Sequence, residues 1–218
     1  MRRMSKIKNL SVEVKASFVY TFASLLSKGL AIITVPIFTR LMSTDQMGIV
    51  NLFNSWQSMI GAIATLSLTS GGYMVAMREY ENCRDKYMSS VLTLTSMVAV
   101  GLGVIYIISP SFWNKITGLS TPLMALMILG FFVSPATEFW LARQRYEYKY
   151  VSAGIVTILS AILASIISVV AVIIASKKGM ECVGTIRLFS NCTVTFSVAL
   201  ILWIYIMIKG RTYFQKEF

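Results

Sequence analysis

The chain has 218 residues, 56% of them hydrophobic and only 13% charged, with 20 Lys and Arg against 9 Asp and Glu and no histidine. That apolar balance excludes an ordinary soluble domain and points to a polytopic membrane protein. The missing histidine removes the usual metal ligand and the commonest general base, and no GxxxxGKS/T loop offers a nucleotide site, so catalysis has little material here.

Six stretches are long enough to span a bilayer: Ala16 to Phe38, Gly48 to Met77, Met88 to Ile108, Pro122 to Ala142, Tyr150 to Ala175 and Val183 to Ile208. Long apolar segments between short polar ones predict α-helices, since the alternation expected of barrel strands is not seen. The expected fold is an all-α polytopic membrane protein, with residues 1–218 forming one six-helix domain.

Arg2, Arg3, Lys6 and Lys8 precede the first span, which is too long for a signal peptide and lacks a small-x-small cleavage site. It reads as a retained helix. Ser17, Thr21, Ser24 and Lys28 fall at offsets that place them along one face of it. Lys28 cannot be moved to a helix end, because a span starting at Gly29 reaches Arg40 after about half of the roughly 20 residues needed to cross. A lysine at the bilayer centre is unfavourable by about 2.5 to 3.5 kcal/mol, which marks it as a functional candidate.

The second span carries its own polar stripe of Asn51, Asn54, Ser58, Thr65 and Thr69, with Trp56 and Gln57 beside it. The two stripes can hydrogen-bond the helices together or face each other across water. Lys28 and the Asn51 and Asn54 pair favour a cavity, because interhelical packing needs no charge. Glu79, Glu81 and Asp85 are interleaved with Arg78, Arg84 and Lys86, and this segment reads as a solvated loop rather than a metal-dependent active site.

Pro135 lies well inside the fourth span, where it frees a backbone carbonyl and predicts a kink. Glu138 follows it, then Arg143 and Arg145. Glu138 is either an interfacial carboxylate, hydrated or paired with a basic neighbour, or together with Arg143 a gate or ion-coupling contact. The fifth span has small-xxx-small pairs at Ala161 and Ser165 and at Ala164 and Ser168, the mark of a packing helix. Arg187 enters the sixth span about one turn from its start, where it serves either as an interface anchor or as a second cation of the cavity. Cys83, Cys182 and Cys192 have no CxxC spacing, so neither a disulfide framework nor a metal site is implied.

The charges also sort by side. Fourteen cations fall before span one and after spans two, four and six, four fall on the opposite side, and Lys28 and Arg187 lie within spans. The positive-inside rule then places both termini in the cytoplasm and accounts for the net charge of +11 without nucleic acid.

Two blocks add a family resemblance. YTFASLLSKGLAIITVPIFTRLMSTDQMGIVNLFNSW, Tyr20 to Trp56, and WLARQRYEYKY, Trp140 to Tyr150, resemble the bacterial polysaccharide flippases of the multidrug/oligosaccharidyl-lipid/polysaccharide exporter superfamily. With the spacing of the six spans the resemblance covers essentially the whole chain. It implies translocation of undecaprenyl-diphosphate-linked oligosaccharide across the bacterial inner membrane by alternating access, for O-antigen, capsule or exopolysaccharide synthesis, with no cofactor. The cargo would sit in a cationic cavity between two six-helix lobes, with Lys28, Asn51, Asn54 and Arg187 as the candidate groups for its diphosphate and sugars. Implied partners are the lipid-linked oligosaccharide, membrane lipids, and the polysaccharide polymerase and chain-length machinery.

Members of that superfamily have about twelve helices in two repeats, so this chain corresponds to the amino-terminal lobe. It is expected to be a truncated product or fragment, or to pair with a second lobe or a second copy. The alternatives are a drug or peptidoglycan-precursor exporter of the same superfamily, a non-transporting scaffold of a polysaccharide assembly complex, and a membrane glycosyl- or phosphotransferase, for which an acidic motif is lacking.

Overall fold

A computed structural model describes residues 11–68 and 72–210. The basic run at Arg2, Arg3, Lys6 and Lys8, the stripe residue Thr69, and Arg211 and Lys216 lie outside the described residues. All the described elements are helical: α1 (Val12–Leu41), α2 (Thr44–Ala64), α3 (Gly72–Glu79), a 3-10 turn (Glu81–Cys83), α4 (Arg84–Ile108), α5 (Pro110–Thr117), α6 (Thr121–Tyr146), α7 (Tyr150–Lys177) and α8 (Val183–Gly210). Five of them, α1, α4, α6, α7 and α8, are long and apolar enough to cross a membrane. At 1.5 Å per residue the 30 residues of α1 reach about 45 Å, beyond the roughly 30 Å of hydrocarbon. The protein is a multi-pass, all-α membrane protein.

The second predicted span, Gly48 to Met77, is not one helix. It divides into α2 and α3. The sequence between them, Thr65-Leu-Ser-Leu-Thr-Ser-Gly-Gly72, explains the break, because serine and threonine compete for backbone partners and glycine is a poor helix former. Thr65 Oγ1 donates to the Gly61 carbonyl at 2.9 Å and Ser67 Oγ donates to that of Ala62 at 3.3 Å. Leu66 and Ser67 are both held in the left-handed region, at φ 53° and 48°, which costs on the order of 1 to 2 kcal/mol each for a residue with a side chain. At its other end α2 is closed by a capping box, in which Ser43 Oγ accepts from Gln46 N–H and the Gln46 side chain accepts from Ser43 N–H.

The centre of the bundle is α6, with α4 on one side and α8 on the other. Phe53, Phe139, Met127, Leu92 and Ile206 are fully buried around it. On the far side of α8 lies α7, which in turn carries α1. The predicted packing role of α7 is visible in Ala164 and Ser168, both buried, and in Gly154, where an added Cβ would stand 2.8 Å from Val19 of α1. Meanwhile α2 rests against α8 and α6. Its start is held close to α8 at Gly184, whose missing Cβ would stand 2.8 Å from the Gln46 carbonyl. Because α1 leans on α7 and α2 on α8, the first two helices diverge. A cleft opens between them, with α7 and α8 as its floor.

Candidate functional site: a polar cleft between the first two helices

Two polar cavities flank α2, one within this cleft and one outside it, between α2 and α6. The smaller, about 190 Å³, is lined by Ser27 and Thr34 of α1, Asn54 of α2, Ser168 of α7, and Arg187 and Asn191 of α8. Arg187 is half-buried there. Its guanidinium lies 3.7 Å above the Phe38 ring and one N–H reaches the Met47 sulfur at 3.5 Å. Among the described residues no carboxylate comes within ion-pair distance of it. A guanidinium has five N–H donors, so most of its hydrogen-bonding capacity is left for an acceptor in the cavity.

The larger cavity, about 520 Å³, lies where α2 breaks and α6 carries Pro135. Its polar lining comes from Asn54, Gln57, Ser58, Thr65, Ser67, Ser134 and Glu138. Among the described residues no lysine or arginine comes within ion-pair distance of Glu138. The larger cavity carries a carboxylate and the smaller one a guanidinium, and Asn54 is common to both linings.

The predicted residues therefore divide. Asn54 and Arg187 meet in the smaller cavity, joined there by Ser27 and Asn191, which were not among the predicted site residues. The α2 stripe is a real face, with Asn54, Ser58 and Thr65 lining the larger cavity. Asn51, about 60° round the helix from Asn54 at 100° per residue, is exposed beside that face. Lys28 does not line either cavity. Ser17, Thr21, Ser24 and Lys28 are all exposed, and the stripe runs about 60° from Ala31 and about 100° from Ser27 on the helical wheel. Lys28 thus sits on the face of α1 next to the cavity wall, because α1 turns its small residues Ala16 and Ala23 into the bundle.

Arg143 is not beside Glu138. Five residues along a helix are about 140° of rotation, and Arg143 points instead into a charged network at the end of the bundle. It donates to Asp85 of α4 and, through Nε at 2.8 Å, to Glu147. Lys149 Nζ reaches Glu147 at 2.5 Å, and Lys209 of α8 lies 3.7 Å from Asp85. Arg84 adds Glu81 at 3.3 Å and the Met77 carbonyl at 2.9 Å, and its guanidinium stands 4.9 Å above Tyr146.

The segment around Asp85, expected to be a solvated loop, is instead the tie that joins α3, α4, α6 and α8 at one end. Burial pushes the Glu147 carboxyl up, but hydrogen bonds from Lys149 and Arg143 outweigh it and hold the group below the ordinary carboxylate range. Asp85 and Glu147 were not among the predicted site residues. The Arg143 and Glu147 spacing of four on one helix was the available signal.

Compared with protein-family models, curated proteins and solved structures, the chain matches none of them.

Proposed function

We propose that this chain is the cargo-binding lobe of a transporter that carries the diphosphate of a lipid-linked oligosaccharide across the bacterial inner membrane. The observation that carries the reading is Arg187, a half-buried cation facing a polar cavity with no carboxylate partner among the described residues. A buried charge without a partner is unfavourable, and an anionic ligand removes that penalty. At about 30 Å³ per water, a cavity of 190 Å³ suits a diphosphate and leaves the sugars in the open cleft. Lys28, on the neighbouring face of α1, supplies a second positive charge on the approach.

In this reading the six predicted spans form one lobe of a twelve-helix fold with both termini cytoplasmic, α2 and α3 together making the second crossing. Exposed polar side chains at membrane depth need water or protein over them, and a second lobe or second copy facing the cleft meets that need. The resemblance of Tyr20 to Trp56 and Trp140 to Tyr150 to the polysaccharide flippases supports the choice of cargo.

Complementation tests it. In a two-lobed context expressed in a flippase-deficient strain, surface polysaccharide is expected to return with wild-type sequence and to be lost with Arg187→Gln at equal membrane insertion. Undiminished export by Arg187→Gln would overturn the proposal.

A further inference from the structure

Helix α5 joins α4 to α6 at the end of the bundle away from the charged tie. Pro110 stands in its first turn, and Gly118 closes it in the left-handed region at φ 66°, its N–H bonded to the Asn114 carbonyl at 2.9 Å. The inner face of α5 is tied down. Tyr106 Oη donates to Asn114 Oδ1 at 3.1 Å, Asn114 Nδ2 donates to Thr121 Oγ1 at 2.8 Å, and Trp56 Nε1 donates to the Thr117 carbonyl at 3.1 Å. The outer face has two edges. Phe112 and Ile116 are exposed on one, Ser111 and Lys115 on the other, and the two pairs lie about 100° apart around the axis. A helix with one apolar and one basic edge lies in the membrane interface, its apolar edge in the acyl boundary. Among the described residues no carboxylate comes within ion-pair distance of Lys115.

Directly beneath α5 an apolar groove of about 480 Å³ runs between α4 and α6. Val100, Val104 and Ile107 form one wall and Leu129 is on the other, all exposed, and the buried Ala99 is at its far end. Tyr106 brings the one polar side chain of the lining, and its hydroxyl is already bonded to Asn114. From Ile107 to Ala99 the groove covers eight residues of α4, about 12 Å at 1.5 Å per residue, close to half of the roughly 30 Å hydrocarbon core. It therefore spans one leaflet. A crossing helix of a partner would need a surface of twice that length, whereas the tail of a lipid in the leaflet beside α5 fits it. An empty groove at this depth forfeits dispersion contacts along both walls.

We infer that α5 and the α4/α6 groove form a binding site for one anionic phospholipid, with an acyl chain in the groove and the headgroup phosphate at Lys115. Lys115 chooses the headgroup and Val104 and Leu129 hold the chain. The site rests on the membrane crossing of α4 and α6 and not on the transport reading.

Native mass spectrometry of the purified chain in detergent tests it, with phosphatidylglycerol and phosphatidylcholine of identical acyl chains as probes. Wild type is expected to retain one phosphatidylglycerol about fivefold more tightly than phosphatidylcholine, the attraction of a single lysine for anionic lipid. Lys115→Gln is expected to remove that preference and leave phosphatidylcholine binding unchanged. Lys178→Gln, which neutralises an exposed cation at the same end of the bundle, is expected to keep the preference. Val104→Trp, at an exposed position in the groove, is expected to weaken both lipids by at least about threefold at an unchanged melting temperature. Soluble glycerol phosphate is expected not to displace the lipid. The inference is overturned if folded wild type shows no preference, or if Lys115→Gln keeps it. An equal loss with Lys178→Gln would overturn it by assigning the preference to the overall charge of +11. Binding of both lipids untouched by Val104→Trp would remove the groove, and displacement by glycerol phosphate would reassign the site to a free anion. No cargo is present and Arg187 is unaltered, so failure here is separable from failure of the transport reading.

Discussion

Helices α1 and α6 have equal mean hydropathy, yet 6% of the residues in the most apolar stretch of α1 are buried within the protein against 56% for α6. Hydropathy reports that both belong in a membrane and says nothing about what each one faces. The difference comes from small residues and shape. Through Ala16 and Ala23, α1 touches α7 along one narrow face, while α6 is surrounded by α4 and α8 and fills the middle with Met127, Phe131 and Phe139. One side of the molecule is packed, and the other is a wall left open.

Substitutions on the two sides should fail in different ways. On the open side, Arg187→Glu in a two-lobed context is expected to abolish export and leave the melting temperature within the shift of about 1 kcal/mol that a half-exposed cation-π contact contributes. An export assay paired with thermal denaturation checks both halves. A large drop in melting temperature with export intact would place Arg187 with the packed side.

On the packed side, Phe139→Ala removes a fully buried ring that stacks on Tyr73 at 5.2 Å and is expected to destabilise by about 3 to 5 kcal/mol. Chemical or thermal denaturation in detergent measures it.

Smaller again is the acid response of the charged tie. Glu147 has its folded pKa lowered, so its contribution is present above the ordinary carboxylate range and is lost as pH falls through the folded value. Glu147→Gln should lower stability at neutral pH and flatten that part of the stability profile at acid pH. A profile parallel to wild type would remove the carboxylate from the tie.

The smallest effect belongs to the α1 stripe. Ser24→Ala and Lys28→Ala should change stability by less than about 0.5 kcal/mol, and Lys28→Ala should reduce export less than Arg187→Gln does. A greater loss with Lys28→Ala would return the principal cation to the first helix.

Much of this was legible in the residues. Five spans appear as single helices because long apolar runs leave few alternatives. The α2 stripe was readable because Asn54, Ser58 and Thr65 share one helical face, and the packing role of α7 because Ala164 and Ser168 are small. The break in the second span was present in its Ser, Thr and Gly content, but apolar residues on both sides hid it from a reading by hydropathy.

Lys28 drew attention because a charge at mid-membrane is costly wherever it points. Which way it points depends on how α1 packs on α7, and that contact is set by residues over a hundred positions away. For the same reason the Asp85 and Arg143 pair, 58 residues apart, left no local pattern. Only Arg143 with Glu147 did.

The central claim is that the open wall faces water, and it can be tested directly by cysteine accessibility in a chain carrying Cys83→Ser, Cys182→Ser and Cys192→Ala. Asn54 and Leu129 are both exposed on the protein surface, Asn54 in the polar cleft and Leu129 in an apolar groove between α4 and α6. Asn54→Cys is expected to react with a membrane-impermeant maleimide in intact membranes and Leu129→Cys to resist it. If Asn54→Cys were as protected as Leu129→Cys, the cleft would be filled by lipid or protein and the account of a water-facing wall would be contradicted.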